Sequence, residues 1–153
     1  NILFRVTSEN PFVYWEGIDN LIKNHIDGNF DLSFYGGLPV GSSYEIVSLN
    51  SLKFSHKHGT KKHRSEYSTL YIYENKKYFK INRLEPKKSL QRPNYRLTVD
   101  TPQDLWVVRI IHDSIGNKTK PLKFEKIIHF LDTHKEVSKI NSSVSLKYKK
   151  YVK

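Results

Sequence analysis

Apolar and polar positions alternate or recur along this chain in blocks that mark its elements. "ILFRV" is β-rich and reads as a buried strand ending near Thr7. After "SENPF", Ile18, Leu21, Ile22 and Ile26 recur at helical spacing, and Gly28 is a natural stop. "DLSFYGG" reads as a short strand entering a Gly-Gly turn. In "SSYEIVSL", strand alternation places Tyr44, Ile46 and Ser48 on one side and Glu45 and Val47 on the other. Asn50–Phe54 suits a short helix, followed by a His/Lys-rich loop.

Tyr67, Leu70 and Tyr71 predict a helix within "SEYSTLYIYEN". "KYFKINRL" alternates Tyr78, Lys80 and Asn82 against Phe79, Ile81 and Arg83, a strand with one apolar face. Two prolines mark "EPKKSLQRPN" as a loop, and "YRLTV" reads as a strand. Thr101 as N-cap, Pro102 at the first helical position and Asp104 closing a capping box start a helix that runs to about Ile115. Leu105, Val108, Ile111 and Ile115 supply its expected buried stripe, and Gly116 and Asn117 end it. Phe124, Ile127, Ile128 and Leu131 form one face of a last helix. Strands alternating with helices argue for an α/β layer architecture. Trp15 and Trp106 read most simply as core or helix-packing residues.

The chain has 153 residues, apolar enough for the core of one domain or of part of a larger one. Cys is absent, which excludes disulfides, zinc–thiolate sites and cysteine nucleophiles. No run approaches the ~20 apolar residues of a membrane span, and no signal-peptide core is present, so a cytoplasmic chain fits best. Met is also absent and the sequence opens inside a β-like run, from which we expect that an N-terminal portion of a larger protein is missing.

A formal net charge of +11 changes the picture less than it promises. Much of the excess lies in "HKHGTKKHR" (His56–Arg64) and in the tail "SLKYKKYVK" (Ser145–Lys153). Such a surface associates with polyanions in general, or is simply a solvated face. No zinc-knuckle spacing, RNP-type aromatic motif or helix-turn-helix pattern points to specific nucleic-acid recognition. His56, His58 and His63 invite a metal reading, but Gly59 and the lysines favour a mobile solvated loop or one that attracts phosphate.

The junction "YRLTVDTPQDL" carries the sharpest chemistry. It sets Asp100 at the carboxyl end of the expected strand, where α/β folds gather ligand sites, directly before a capped helix. Asp100 reads either as a secondary cap, favoured by the helix dipole, or as a ligand for Mg²⁺, which prefers hard carboxylate oxygen with phosphate in other positions.

Together with "FRVTSENPF", "GSSYEIVSLNSL" and "RSEYSTLYIYEN", this junction resembles the cytidylyltransferase family that activates acidic sugars. CMP-Kdo synthetase, acylneuraminate cytidylyltransferase and the spore coat polysaccharide biosynthesis protein F branch belong to that family. The four motifs occur here in the family's order and cover nearly the whole chain to about Asn141. The resemblance implies a partial GT-A-like, Rossmann-type α/β fold over residues 1–141, with 142–153 as a basic tail. It also implies that the family's opening strand and phosphate-gripping Gly/Arg-rich loop, roughly 60–90 residues, are missing here.

What the resemblance implies for chemistry is transfer of CMP from CTP to a sugar or sugar acid, with Mg²⁺ as cofactor, for cell-surface polysaccharide. Asp100 would be the catalytic metal ligand, and Glu9, standing where the family has Asp but one methylene longer, the second, directly or through water; Glu9 also reads as a structural surface residue. Arg5, Thr7, Ser8 and Asn10 would face the nucleotide, although Arg5 also reads as an ion-pair partner and the others as a turn. Glu45, Arg64, Glu66, Tyr67 and Thr69 would face the acceptor. Glu45 reads equally as an exposed strand residue. Tyr67 replaces the family's His, so an imidazolium is lost and Arg64 becomes the candidate replacement cation. The segment after Leu122 either forms a homodimer contact or closes the domain's own core with its apolar face. The rivals are a non-enzymatic, polyanion-binding α/β module and an inactive fragment.

Overall fold

A computed structural model describes residues 1–117 and 119–144; the expected basic tail falls largely outside them. Four short strands form one mixed sheet in the order β1-β3-β2-β4. These are β1 (Ile2–Arg5), β2 (Leu32–Tyr35), β3 (Glu45–Ser48) and β4 (Ile81–Leu84). β3 runs antiparallel to both β1 and β2, whereas β2 and β4 are parallel. The helices are α1 (Ile18–Asp27), α2 (Leu49–His58), α3 (Leu70–Glu74), α4 (Pro102–Ile115), α5 (Phe124–Thr133) and α6 (Lys135–Lys139).

Both faces of the sheet are covered, which is why its two central strands contain almost no polar stripe. Ile46, Tyr44 and Tyr35 face a main core completed by Leu21 of α1, Val107 and Ile111 of α4, and Phe124, Ile127 and Leu131 of α5. Leu32 and Val47 face the other way and pack with Ile72 of α3, flanked by Phe34, Leu52, Tyr73 and Phe79. The expected alternation along β3 therefore holds. Each fully buried Leu or Ile contributes about 1.5–3 kcal/mol.

Several expectations need correction. β1 is not buried: Ile2, Leu3, Phe4 and Val6 are 38–45% exposed, because β1 is an edge strand paired only with β3 among the described residues. "YRLTV" is not a ladder strand. It runs extended beside Val40, with a single parallel bridge at Arg96, Val40 N–H donating to the Tyr95 carbonyl and Leu97 N–H to that of Val40. α2 is twice as long as expected and takes up His56–His58, so that part of the basic stretch is helix and not loop; a turn of 3₁₀ helix follows at Lys61–His63. The helix expected from Tyr67 starts only at Leu70, and β4 only at Ile81.

Two helical stripes are rotated relative to expectation. On α1, His25 is buried and Ile26 is exposed, since the His25 ring finds a hydrogen-bond partner in Ser33 of β2 at 2.8 Å. On α4 the inner positions are Asp104, Val107 and Ile111, and Leu105 turns outward. An acid can take that inner place because its charge is matched there. Trp106 is 55% exposed and is no core residue; Trp15, also exposed, braces a loop through Nε1–H donated to the Leu122 carbonyl at 2.9 Å.

Candidate functional site

α4 begins as its capping residues dictate. The Asp104 N–H reaches Thr101 Oγ1 at 3.3 Å, and Asp104 Oδ2 accepts from the N–H groups of Thr101 and Asp100 at 3.0 and 3.1 Å. Asp104 does more than cap. It is completely buried and also accepts from Arg96 Nε and Nη2 at 2.8 and 3.1 Å and from Asn141 Nδ2 at 2.8 Å. Burial alone would push its carboxyl up; Arg96, Asn141, and the Asp100 and Thr101 donors outweigh that and hold it below the usual range. Burial likewise works against the Arg96 cation, but Asp104 and Asp100 together keep it more firmly protonated than usual.

Arg96 Nη2 reaches on to Asp100 Oδ2. The side chain of Asp100 is 49% exposed, against 0% for Asp104, so the guanidinium charge belongs first to the buried partner. One cation thus serves two carboxylates, and the surplus negative charge lies on the exposed one. A half-exposed, anchored carboxylate of that kind suits a hard divalent cation, which Mg²⁺ chemistry typically meets with one or two carboxylates plus phosphate oxygen. Among the described residues no group of three or more His, Asp or Glu forms a ready-made metal cage. His63 instead accepts the Thr60 N–H at 2.8 Å and pairs with Glu74 at 2.8 Å, while His58 stacks on Phe54.

Three separate motifs meet beside Asp100. The Val99 N–H donates to the Glu9 carbonyl at 2.9 Å, which lays the loop after β1 against the segment leading to Asp100. In that loop, Asn10 Nδ2 donates to Thr7 Oγ1 at 2.8 Å, Asn10 Oδ1 is buried without a partner, and Ser8 is exposed. The turn before β3 closes in from the other side. Gly41 has φ +87°, and a Cβ there would come within 2.5 Å of the Thr98 amide nitrogen. Only glycine lets these two backbones approach so closely.

A second cluster sits where β1 and β3 pair. Arg5 Nη1 donates to Glu45 Oε2 at 3.0 Å, so the ion-pair alternative for Arg5 is the one the structure forms. Glu45 is only 14% exposed, which corrects its reading as an exposed strand residue. It also accepts from Thr69 Oγ1 at 3.0 Å and from the Tyr73 hydroxyl at 2.7 Å. Burial, and then the charge of Glu45, push the Tyr73 phenol well above its ordinary range, so it stays a donor. Arg5 Nη2 meanwhile donates to the Glu66 carbonyl at 3.1 Å. The Glu66 side chain is exposed. Tyr67 lies in the turn entering α3, its carbonyl accepting from Leu70 N–H at 2.9 Å. Arg64 follows the 3₁₀ turn and folds back on α2, where its Nη2 donates to the His56 carbonyl at 2.9 Å.

Arg96, Tyr73 and Asn141 are functional-site neighbours that sequence reasoning passed over. Arg96 lies four residues before Asp100, a spacing that pairs side chains only once the backbone geometry is known. Tyr73 sits inside an apolar helical run, and Asn141 has no local signal at all.

A mixed sheet covered on both faces, with an anchored acid at the start of a capped helix and the loop after β1 laid against it, defines an α/β protein whose polar side chains gather at the start of α4. The chain belongs to the cytidylyltransferase family, whose profile matches residues 1–145. It is 33% identical over 149 residues to an uncharacterized protein of Methanocaldococcus jannaschii, covering 96% of this chain and 60% of that one. It is 29% identical over 119 residues to spore coat polysaccharide biosynthesis protein SpsF of Bacillus subtilis, covering 77% of this chain and 50% of that one. A cytidylyltransferase structure from Leptospira borgpetersenii superposes with a TM-score of 0.81 at 17% identity, over 95% of this chain and 60% of that chain. The partial α/β cytidylyltransferase fold expected from sequence is therefore present, and the chain spans 60% and 50% of the length of these two curated relatives.

Proposed function

We propose that this chain forms the acceptor-side part of a nucleotidyltransferase that moves CMP from CTP to a hydroxyl of a sugar or sugar acid in polysaccharide biosynthesis. In that reaction the hydroxyl oxygen bonds to the α-phosphorus as the bond to the bridging oxygen breaks. Pyrophosphate leaves and the hydroxyl proton is lost to solvent. Such transfers depend on positioned reactants and on neutralised charge more than on a covalent nucleophile.

The single observation that carries the reading is the joining of two family motifs by the Val99–Glu9 hydrogen bond, which sets Glu9 beside the segment ending in the half-exposed Asp100. Asp100, with Glu9 behind it, would hold Mg²⁺. The bound ion would offset triphosphate charge and polarise the α-phosphate. Arg96 keeps the Asp100 carboxylate in place from a buried anchor. Thr7, Ser8 and Asn10 would meet nucleotide from the loop after β1, in which Ser8 is exposed and Asn10 is tied to Thr7. Glu45, held by Arg5, Thr69 and Tyr73, would face the acceptor as a fixed hydrogen-bond acceptor for sugar hydroxyls, with Glu66 and Tyr67 in the adjoining turn; Arg64, folded onto α2, would have to leave the His56 carbonyl to reach it.

The test is pyrophosphate release from CTP by the intact gene product, assayed with a panel of acidic and neutral sugars. Release that depends on both CTP and one sugar class, and is lost in Asp100→Asn, supports the reading. Equal release in the variant, or none with any sugar, overturns it.

A further inference from the structure

The basic stretch that the nucleotide chemistry leaves unused is an ordered surface with a hydrophobic centre. Phe54 and His58 share one face of α2, their rings stacked at 4.0 Å. The Phe54 and Phe79 rings meet edge-to-face at 5.7 Å, and Tyr78, from the 3₁₀ turn Lys76–Tyr78, lies 6.3 Å away. Phe54 is 39% exposed and Tyr78 57% exposed, so this aromatic knob stands in solvent. The same segments carry lysines: Lys53 and Lys57 on α2, Lys61 and Lys62 on the following turn, Lys76 and Lys77 beside Tyr78, all exposed. Lys77 Nζ lies 4.8 Å from the Tyr78 ring centroid.

Charge in this region is one-sided. Between positions 53 and 80 the sequence holds seven Lys and one Arg against two Glu. One of those acids, Glu74, is already paired with Lys62 and with His63 at 2.8 Å each. The region therefore sets two exposed aromatic rings on segments rich in exposed lysine.

We propose that this face, built from α2 and the turns at 61–63 and 76–78, docks peripherally on an anionic phospholipid surface. Phe54 and Tyr78 enter the interface, and Lys57, Lys61 and Lys77 meet the headgroup phosphates. Amphipathic aromatic rings favour the headgroup level, and lysine stems let the charge reach outward while the ring sinks. Single-stranded nucleic acid fits less well, because it needs open aromatic faces on which successive bases stack. Here the Phe54 ring is already stacked by His58 and packed edge-to-face with Phe79. The sole Arg of the region, which would give planar bidentate contacts, spends Nη2 on the His56 carbonyl. The inference is independent of nucleotidyl transfer.

Co-sedimentation with vesicles tests it. The protein is expected to partition onto phosphatidylcholine vesicles containing about 30% phosphatidylglycerol, not onto pure phosphatidylcholine, and to release as salt rises. Neutralising Lys57, Lys61 and Lys77 together (each to Gln) should weaken partitioning about a hundredfold, at roughly fivefold per lysine. Phe54→Ser with Tyr78→Ser should weaken it about tenfold. Neutralising Lys87, Lys126 and Lys139, exposed elsewhere, should leave it within about twofold. Circular dichroism checks folding; if the double aromatic variant is unstable, Tyr78→Ser alone carries the readout. Equal loss in the control set, undiminished binding without the aromatic rings, or a single-stranded oligonucleotide that displaces the protein from vesicles would each overturn the proposal.

Discussion

Arg96 grips Asp104 through Nε and Nη2 at 2.8 and 3.1 Å, and the same Nη2 extends to Asp100. The two acids differ in kind. Asp104 is wholly buried and is held as well by Asn141, Thr101 and the Asp100 N–H, whereas Asp100 is half in solvent with Arg96 as its anchor. Two acids four residues apart thus share one guanidinium, one sealed in the core and the other open to solvent.

Removing the buried member should be severe. Asp104→Ala leaves the Arg96 guanidinium buried without its main counter-charge and the donors of Asn141, Thr101 and Asp100 unmet, at a cost of about 3–5 kcal/mol. Urea unfolding is expected to show that loss, and a destabilisation under ~1 kcal/mol would refute the assignment of Asp104 as the anchor.

Asp100→Asn should behave in the opposite way. Its ion pair is half-exposed, so stability should change by no more than about 1 kcal/mol. Turnover of the intact gene product should nevertheless fall by at least about a hundredfold, as for loss of one strong charge-stabilising group. Parallel unfolding and pyrophosphate-release measurements separate the two effects.

His25 supplies a pH signature. Burial, partly opposed by the charge of Asp31, keeps its ring neutral in the folded protein and moves its pKa below the ordinary value. The unfolded chain therefore takes up that proton first. Stability from this group is complete above about pH 6.5 and is lost as pH falls below it. His25→Gln, which can still bond Ser33, should flatten that limb of a stability–pH curve while leaving the carboxylate-driven limb at lower pH, to which Asp104 contributes.

Gly41 should tolerate no side chain. Its φ is +87°, and the Thr98 amide nitrogen lies 2.5 Å from the point a Cβ would occupy, so Gly41→Ala must push the 40–42 turn off the segment that leads to Asp100. A loss of about 1–3 kcal/mol is expected from the backbone strain alone. A crystal structure of the variant with Thr98 and Asp100 unmoved would contradict this.

Where local chemistry sufficed, the sequence was legible. The start of α4 was readable from Thr101, Pro102 and Asp104, because a cap is made by residues three apart. The alternation of Ile46 and Val47 was readable because a strand covered on both faces still separates odd from even. The failures have a common cause. β1 looks apolar enough to be buried, yet burial depends on whether another strand covers its edge. Leu105 and Ile26 match a helical stripe, but Asp104 and His25 took the inward positions once Arg96 and Ser33 provided partners.

By itself the sequence determined where α1, α4 and α5 lie, the cap that starts α4, and which junctions carry carboxylates, since each rests on residues a few positions apart. Only the tertiary structure decided that Asp104 is an anchor while Asp100 faces solvent, that Glu45 is gathered in by Arg5, Thr69 and Tyr73, and that the lysine-rich segments carry exposed aromatic rings. Those outcomes depend on contacts between segments tens of residues apart, and burial and charge compensation exist only after the chain has closed on itself.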